Sequence, residues 1–502
     1  MRYGLSKSRI TAFEQCPKKL WLSINRPELA QLDEGAETRF AAGHDVGAIA
    51  CSLCSGGVMI EAEPDLHSAI RQTKGLLADG WQRPIFEGTF AHDGVLVRVD
   101  LMLPASHGGW HVAEVKSSTG VKPYHVSDVA TQVWVLRECG VDVQSTSIRH
   151  LNSAFRLSRE GDYDGLFSDT LVDQVIEPIV SGRASVVAEA RAVLGSSEPA
   201  REMGEHCSAP FECEFKSYCG EDLPAGPEWP AHLLPDASGK KIARTWAERG
   251  VVDLIAIPRE EMTSRKLARV HEVTVTGEPF IDRATIGRQT QDWCWPLHYL
   301  DFETIAFPVP RWLGTGPWQQ VPFQFSCHTE HRDGRLEHRG FLSLDGSDPR
   351  RACAEALVAV LNSAEAREGC VIAYNAGFER RCLSQLAEAC PDLADDLHAI
   401  RVRVVDLLPV MRENYYHRDQ RGSWSIKAVL PTVCPELDYS DLGEVKAGDD
   451  AQAAYLEAVD PATSDQRREA LGRGLDAYCE RDTLAMVELM RRLTIAQIVS
   501  AS

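Results

Sequence analysis

Leu297-His298-Tyr299-Leu300-Asp301-Phe302-Glu303 decides how the chain is read. An apolar run, Leu297 to Leu300, delivers two acids two positions apart, and on a strand that spacing turns both carboxylates to the same face. Far downstream, Tyr478-Cys479-Glu480-Arg481-Asp482 sets a phenol four residues before another carboxylate, which on a helix again means one face. Phosphodiester hydrolysis by two divalent ions needs several carboxylates to hold the ions about 3.5–4 Å apart, one activating water and one steadying the leaving oxygen. Between these stretches, His298 to Phe302, Pro322 to His328 and Glu337 to Leu344 read as strands, Pro349 to Leu361 as a helix, and Val371 to Tyr374 as a fourth strand. Three antiparallel strands followed by alternating helix and strand predict an α/β layer. A third acid is expected just after the fourth strand, where the chain runs Tyr374-Asn375-Ala376-Gly377-Phe378-Glu379.

On these motifs, residues 291 to 495 resemble the DEDD exonuclease superfamily in its tyrosine-bearing branch. The resemblance implies a ribonuclease H-like 3′-5′ exonuclease domain over 291–502. It also implies Asp301, Glu303, Glu379 and Asp482 as ligands of Mg²⁺ or Mn²⁺, with Tyr478 orienting the attacking water. The chain departs from the family where an aspartate is usual and Glu379 stands; Asp406, ending the apolar run Val402 to Val405, is the alternative ligand. Asn375 is expected to cap the turn. Trp312 and Trp318, in a Gly/Pro-rich loop, are candidates to stack on splayed bases, whereas Phe323 and Phe325 are expected in the core. Gly422-Ser423-Trp424-Ser425-Ile426-Lys427 reads as a loop entering a helix N-terminus, which is either a phosphate site or a plain cap.

The first half of the chain carries a second constellation. Pro84 to Leu103 alternates like a hairpin turning at His92-Asp93-Gly94, Trp110 to Lys116 reads as a strand, and residues 126 to 139 read as a helix. A hairpin of this length can put Asp100 and Glu114 on one metal while Lys116 faces the same water. Val97-Arg98-Val99-Asp100 followed by Glu114-Val115-Lys116 is similar to the PD-(D/E)XK nuclease core in its RecB-like branch. That implies a restriction-endonuclease-like domain, Asp100 and Glu114 as Mg²⁺ or Mn²⁺ ligands, and Lys116 as a catalytic residue. Gln132, in Asp128-Val129-Ala130-Thr131-Gln132, matches the branch's glutamine, and His44 matches a histidine that adds a metal ligand; the later tyrosine position holds Leu136.

Cys207, Cys213 and Cys219 are separated by five residues each, and Cys16 is the plausible distant fourth. Four thiolates suit a 4Fe-4S cluster or tetrahedral zinc, and spacing does not choose between them. CRISPR-associated RecB-like nucleases and relatives of the AddB nuclease clamp a 4Fe-4S cluster with one early and three late cysteines, the layout seen here. That likeness implies a structural cluster on Cys16, Cys207, Cys213 and Cys219. Cys51 and Cys54 form a C-x2-C pair after an apolar run and are expected to be buried thiols.

At 502 residues the chain is too long for one core. Residues 1–220 are read as the iron-sulfur nuclease domain, 221–290 as a helical connector and 291–502 as the exonuclease domain. The opening helix signal begins at Ser6 or Ser8 and runs through Ile10, Phe13, Leu20 and Trp21. No apolar run spans a bilayer and the first residues lack a signal peptide's apolar core, so no membrane role and a cytoplasmic location are expected. The formal charge of −20 argues against a general nucleic-acid coat, so any contact with phosphate backbones must be local. The whole chain resembles a bacterial family that fuses an iron-sulfur RecB-like nuclease to a DEDD-type exonuclease. A dual nuclease acting on single-stranded DNA ends in repair or defence is expected, with an exoribonuclease or a binding scaffold with one decayed site as alternatives. No G-x-x-x-x-G-K-[ST] loop is present, so unwinding would fall to a separate helicase or defence-complex protein.

Overall fold

The computed structural model describes residues 4–31, 36–221, 226–437 and 439–494. The chain is α/β and divides into two compact units, Met1–Leu223 with Phe307–Gln319, and Pro224–Ala306 with Gln320–Ser502.

The first unit opens with α1 (Lys7–Gln15), whose N-cap Ser6 is extended and accepts a hydrogen bond from the Arg9 amide. The pattern predicts one helix through Trp21, but the structure breaks it at Cys16 and restarts at Pro17–Asn25. Pro17 has no N–H to continue α1 and pushes the preceding residue into extended backbone. The sheet has β1 (Ile85–His92), β2 (Val95–Pro104), β3 (Trp110–Lys116), β4 (Val143–Leu151) and β5 (Phe167–Leu171) in that order, with Val58–Met59 beside β1 and Leu5–Ser6 beside β2. β1, β2 and β3 are antiparallel neighbours, and Asp93 and Gly94, both at positive φ, turn the first hairpin. β4 pairs parallel with β3, so a crossover is obligatory, and α2 (Pro123–Glu138) supplies it. Val129, Val133 and Leu136 of α2 bury against Val97, Val99, Val112 and Ile148 of the sheet. α3 (Asp173–Leu194) packs alongside α2.

The second unit holds a five-stranded sheet of β6 (Leu297–Ala306), β7 (Gln320–Glu330), β8 (Leu336–Leu342), β9 (Val371–Ala373) and β10 (Val404–Asp406), in the order β8-β7-β6-β9-β10. The β6–β7 and β7–β8 pairs are antiparallel, and the β6–β9 and β9–β10 pairs are parallel. Strand periodicity divides β6 between two cores. Leu300 and Phe302 pack with Leu357 of α4 (Arg350–Leu361) and with Leu383 and Leu386 of α5 (Gly377–Ala389). Leu297 and Tyr299 share a core with Met486, Leu489 and Met490 of α8 (Asp465–Thr494), the last helix, which follows α6 (Leu407–Asn414) and α7 (Ile426–Val433). Asp301 and Glu303 continue the Leu297–Tyr299 row and therefore face α8.

Residues 221–290 are not a free-standing connector. Their helices Asp236–Ala247, Arg265–Thr276 and Arg283–Thr290 place Ala243, Leu267, Val270 and Ile286 in the core that holds Leu297 and Tyr299, because their apolar stripes need that surface. Residues 307–319, expected within the exonuclease domain, cluster instead with the first unit. Among the described residues, no helix is long and apolar enough to cross a membrane.

Candidate metal centres

In the second unit, β6 and α8 bring Asp301, Glu303 and Asp482 together, with one oxygen from each lying within 4.8 Å of the others. No other trio of His, Cys, Asp or Glu ligand atoms among the described residues meets that spacing. Burial, then the Asp482, Glu303 and Glu379 charges, pushes the Asp301 carboxyl well above its usual range. Burial and Asp482 raise Glu303 to about 8, against the pull of Lys427. Asp482 is raised chiefly by burial, although hydrogen bonds from Tyr439 and Tyr478 and the Lys427 charge oppose the shift. Three converging acids that resist ionisation in one another's presence are chemically matched to a cation that would remove the repulsion.

Tyr478 is buried beside this cluster, and Lys427 Nζ donates to its hydroxyl at 3.0 Å while lying 4.8 Å above its ring. Lys427 sits in the first turn of α7, the helix whose N-terminus the sequence marks as a phosphate site or a plain cap. Its Nζ also lies over the Tyr439 ring and is tethered to the Lys446 carbonyl at 2.8 Å. Sequence reasoning missed Tyr439 and the lysine's role; Lys427 lay inside the quoted motif, but Tyr439 carried no local signal.

Glu379 enters from the first turn of α5, only 3% exposed, with burial raising it to about 8. Its Oε2 is buried with no hydrogen-bond partner. Glu379 falls outside the group of three acids within 4.8 Å of one another, although its charge helps raise Asp301 and its orphaned carboxylate oxygen has no partner within the chain. Asp406, the alternative, is otherwise engaged: its Oδ1 accepts from the Leu408 and Asn375 amides, each at 3.0 Å, and caps α6. Asn375 takes the left-handed conformation at the turn, φ 78°. Phe323 and Phe325 are core. Trp312 packs edge-on against Phe307, and the exposed Trp318 donates its indole N–H to the Ser117 carbonyl at 2.6 Å, within the first unit.

In the first unit, Asp100 lies on β2 and Glu114 on the antiparallel neighbour β3, each next to the pair Leu101–Ala113. Asp100 Oδ2 accepts the Val115 amide at 2.7 Å, and burial followed by the Glu114 charge raises its carboxyl to about 7. Burial alone would raise Glu114 too, but the Lys7 and Lys116 charges outweigh it and hold Glu114 below its ordinary value. Lys116 Nζ donates to Glu114 Oε1 at 2.9 Å and to Asp128 Oδ2 at 3.1 Å. Gln132, fully buried on α2, donates to Glu114 Oε2 at 2.6 Å and to the Arg98 carbonyl at 3.2 Å. The Gln132 Oε1 atom is buried without a partner, an acceptor facing no donor of the chain. His44 is exposed on the helix Ala36–Ser52, which packs against β3, but it joins no three-ligand group among the described residues. Lys7 and Asp128 completed this site without being foreseen; Lys7 is 107 residues from Glu114 in sequence.

The four cysteines Cys16, Cys207, Cys213 and Cys219 line one cavity together with Lys18, Lys19, Lys216 and Arg201. The fit to a metal group is testable on spacing. Tetrahedral zinc with Zn–S bonds near 2.3 Å needs sulfurs about 3.8 Å apart. No three of these thiols are within 4.8 Å of one another. That spacing is wider than one tetrahedral zinc ion needs, and Lys18, Lys19 and Lys216 of the rim are ion-paired with Glu198, Glu214 and Glu212. Cys51 and Cys54 lie apart from this cavity, half-buried rather than buried; burial raises the Cys51 thiol to about 12, and Cys54 receives Arg149.

The family model described as "Domain of unknown function (DUF2779)" matches residues 298–425, a stretch that takes in Asp301, Glu303 and Glu379 and stops short of Tyr478 and Asp482. No curated protein matches the chain. Among solved structures, the crystal structure of SSO0001 is a distant likeness, with a TM-score of 0.23 and 13% identity over 44% of this chain and 87% of that one.

Proposed function

We propose that the chain is a metal-dependent nuclease with two sites, acting on DNA and most readily on single-stranded ends. The observation that carries the reading is the convergence of Asp301, Glu303 and Asp482 within 4.8 Å beside Tyr478. The second unit is read as a ribonuclease H-like DEDD exonuclease of the tyrosine branch; its sheet order and the face on which the acids lie support this. The first unit is read as a restriction-endonuclease-like, RecB-like nuclease, supported by the Asp100, Glu114, Lys116 and Gln132 network.

Asp301, Glu303, Glu379 and Asp482 would hold Mg²⁺ or Mn²⁺ in one site, and Asp100 and Glu114 would do so in the other; the exposed His44 is not brought to them. Divalent ions there supply Lewis-acid activation of water and charge neutralisation at phosphate. Tyr478, oriented by Lys427, positions the attacking water and keeps its own proton, since burial and the neighbouring carboxylates raise the phenol far above its usual range. Lys116, protonated between Glu114 and Asp128, places a positive charge where the pentacovalent phosphate gains negative charge. Gln132 fixes the Glu114 carboxylate. The thiol cavity is assigned a 4Fe-4S cluster that ties the first helices to the end of the domain, and a cytoplasmic setting in repair or defence, with a separate helicase partner, suits reduced thiols.

Labelled DNA and RNA oligonucleotides with free or blocked ends, incubated with Mg²⁺ or Mn²⁺, test the reading. Wild type should cleave DNA; Asp301→Ala should lose 3′-5′ trimming, and Asp100→Ala should lose a separable activity. Absence of cleavage of either polymer by wild type overturns it.

A further inference from the structure

Glu114 is surrounded by donors in a way the two-carboxylate reading does not require. Its Oε2 takes Gln132, while Oε1 takes two ammonium groups, Lys116 at 2.9 Å and Lys7 at 2.5 Å. The Glu114 side chain is 2% exposed and that of Lys7 25%, so this contact lies at the mouth of the site. A cation ligated by Glu114 Oε1 must displace at least one of them. Lys116 also pairs with Asp128 and keeps a carboxylate partner when Glu114 is taken. Lys7 has its ion pair with Glu114.

The helix that carries Lys7 is fixed along a single stripe. Thr11, one turn on, donates to Asp128 Oδ1 at 2.9 Å. Gln15, a further turn on, donates to the carbonyls of His206 at 2.8 Å and Phe211 at 2.7 Å, in the segment bearing Cys207 and Cys213. Cys16 follows and lines the thiol cavity. Positions i, i+4 and i+8 share one helix face, so α1 is a rod of about 12 Å between the carboxylates and the cysteine segment.

From this geometry we infer that Lys7 is a positioning residue of the first site: its ammonium occupies Glu114 Oε1 in competition with the divalent ion, and the cysteine segment sets its place through α1. The inference rests on the reading of Asp100 and Glu114 as cation ligands. Lys7 thereby raises the cation concentration at which this site becomes active, and loosening the far end of α1 weakens that hold.

The test uses the full chain with Asp301→Asn and Asp482→Asn, which silence the second site, and measures Mn²⁺ binding by calorimetry beside the Mn²⁺ concentration giving half-maximal DNA cleavage. Lys7→Gln should lower the Mn²⁺ Kd by about fivefold or more, an amount typical of releasing one partly buried ion pair. Lys7→Arg, which keeps the charge, should stay near the parent value. Gln15→Ala should shift Kd in the same direction as Lys7→Gln, but less. If Asp100→Asn abolishes Mn²⁺ binding while Lys7→Gln leaves Kd within about twofold of the parent, the inference is overturned and the site reading stands. If Asp100→Asn leaves Mn²⁺ binding intact, the site reading itself falls and takes the inference with it.

Discussion

Replacing Glu303 by glutamine should stabilise the cation-free protein, and only at higher pH. Glu303 is 8% exposed, and burial together with Asp482 raises its carboxyl from 4.5 to about 8. An acid whose pKa is higher in the folded than in the unfolded chain keeps a proton that unfolding releases. Its contribution is therefore full below pH 4.5 and is lost as pH climbs through about 8. At 1.36 kcal/mol per tenfold change in proton affinity, the loss amounts to about 4–5 kcal/mol, shared with Asp301 and Asp482, which titrate against it. Denaturant unfolding in EDTA at pH 5, 6.5 and 8, followed by tryptophan fluorescence, measures it on the full chain. Wild type and Glu303→Gln should unfold together at pH 5, and by pH 8 the variant should be the more stable by at least about 2 kcal/mol. Mn²⁺ should restore the wild type at pH 8 and do less for the variant. Parallel pH curves in EDTA would refute the picture of a carboxylate strained by its neighbours.

Tyr478→Phe should lower 3′-5′ trimming by about 100-fold with little change in substrate affinity, measured as single-turnover rates on an end-labelled strand; an unchanged rate removes the phenol from the mechanism. Lys116→Ala should abolish the Asp100-dependent activity and leave trimming intact, because the two act in separate units. Gly422 sits at φ 79° with the Leu233 carbonyl where a Cβ would go, so Gly422→Ala should cost about 2–4 kcal/mol in chemical denaturation. Protein purified without oxygen should be brown, with a broad absorbance near about 400 nm that Cys213→Ser removes; colourless protein holding stoichiometric zinc reverses the assignment.

The sheet of the second unit was legible because β6 advertises itself: apolar residues alternate between two cores and then give way to two acids on one row. The expected strand His298 to Phe302 lies inside Leu297–Ala306, and the expected helix Pro349 to Leu361 differs from Arg350–Leu361 by one residue. Strand Val404–Asp406 escaped notice, being three residues long and formed only by pairing with β9. The break at Cys16 was readable from Pro17 but was overridden by the longer apolar pattern. Long-range partners were beyond reach. Lys7 finds Glu114, and Tyr439 finds Asp482, through tertiary packing that no local spacing encodes. The position of residues 307–319 was likewise hidden, since a Gly/Pro-rich loop carries no sign of the surface it will cover.

The separation of β6 from α8 along the chain also has a consequence in time. At about 5–20 residues per second, the roughly 180 residues between Glu303 and Asp482 take about 10–40 s to synthesise. Until Asp482 emerges, the nascent chain holds two of the three converging carboxylates and lacks the phenol. The three-acid cluster therefore cannot close on the growing chain and forms only once its last helix is made.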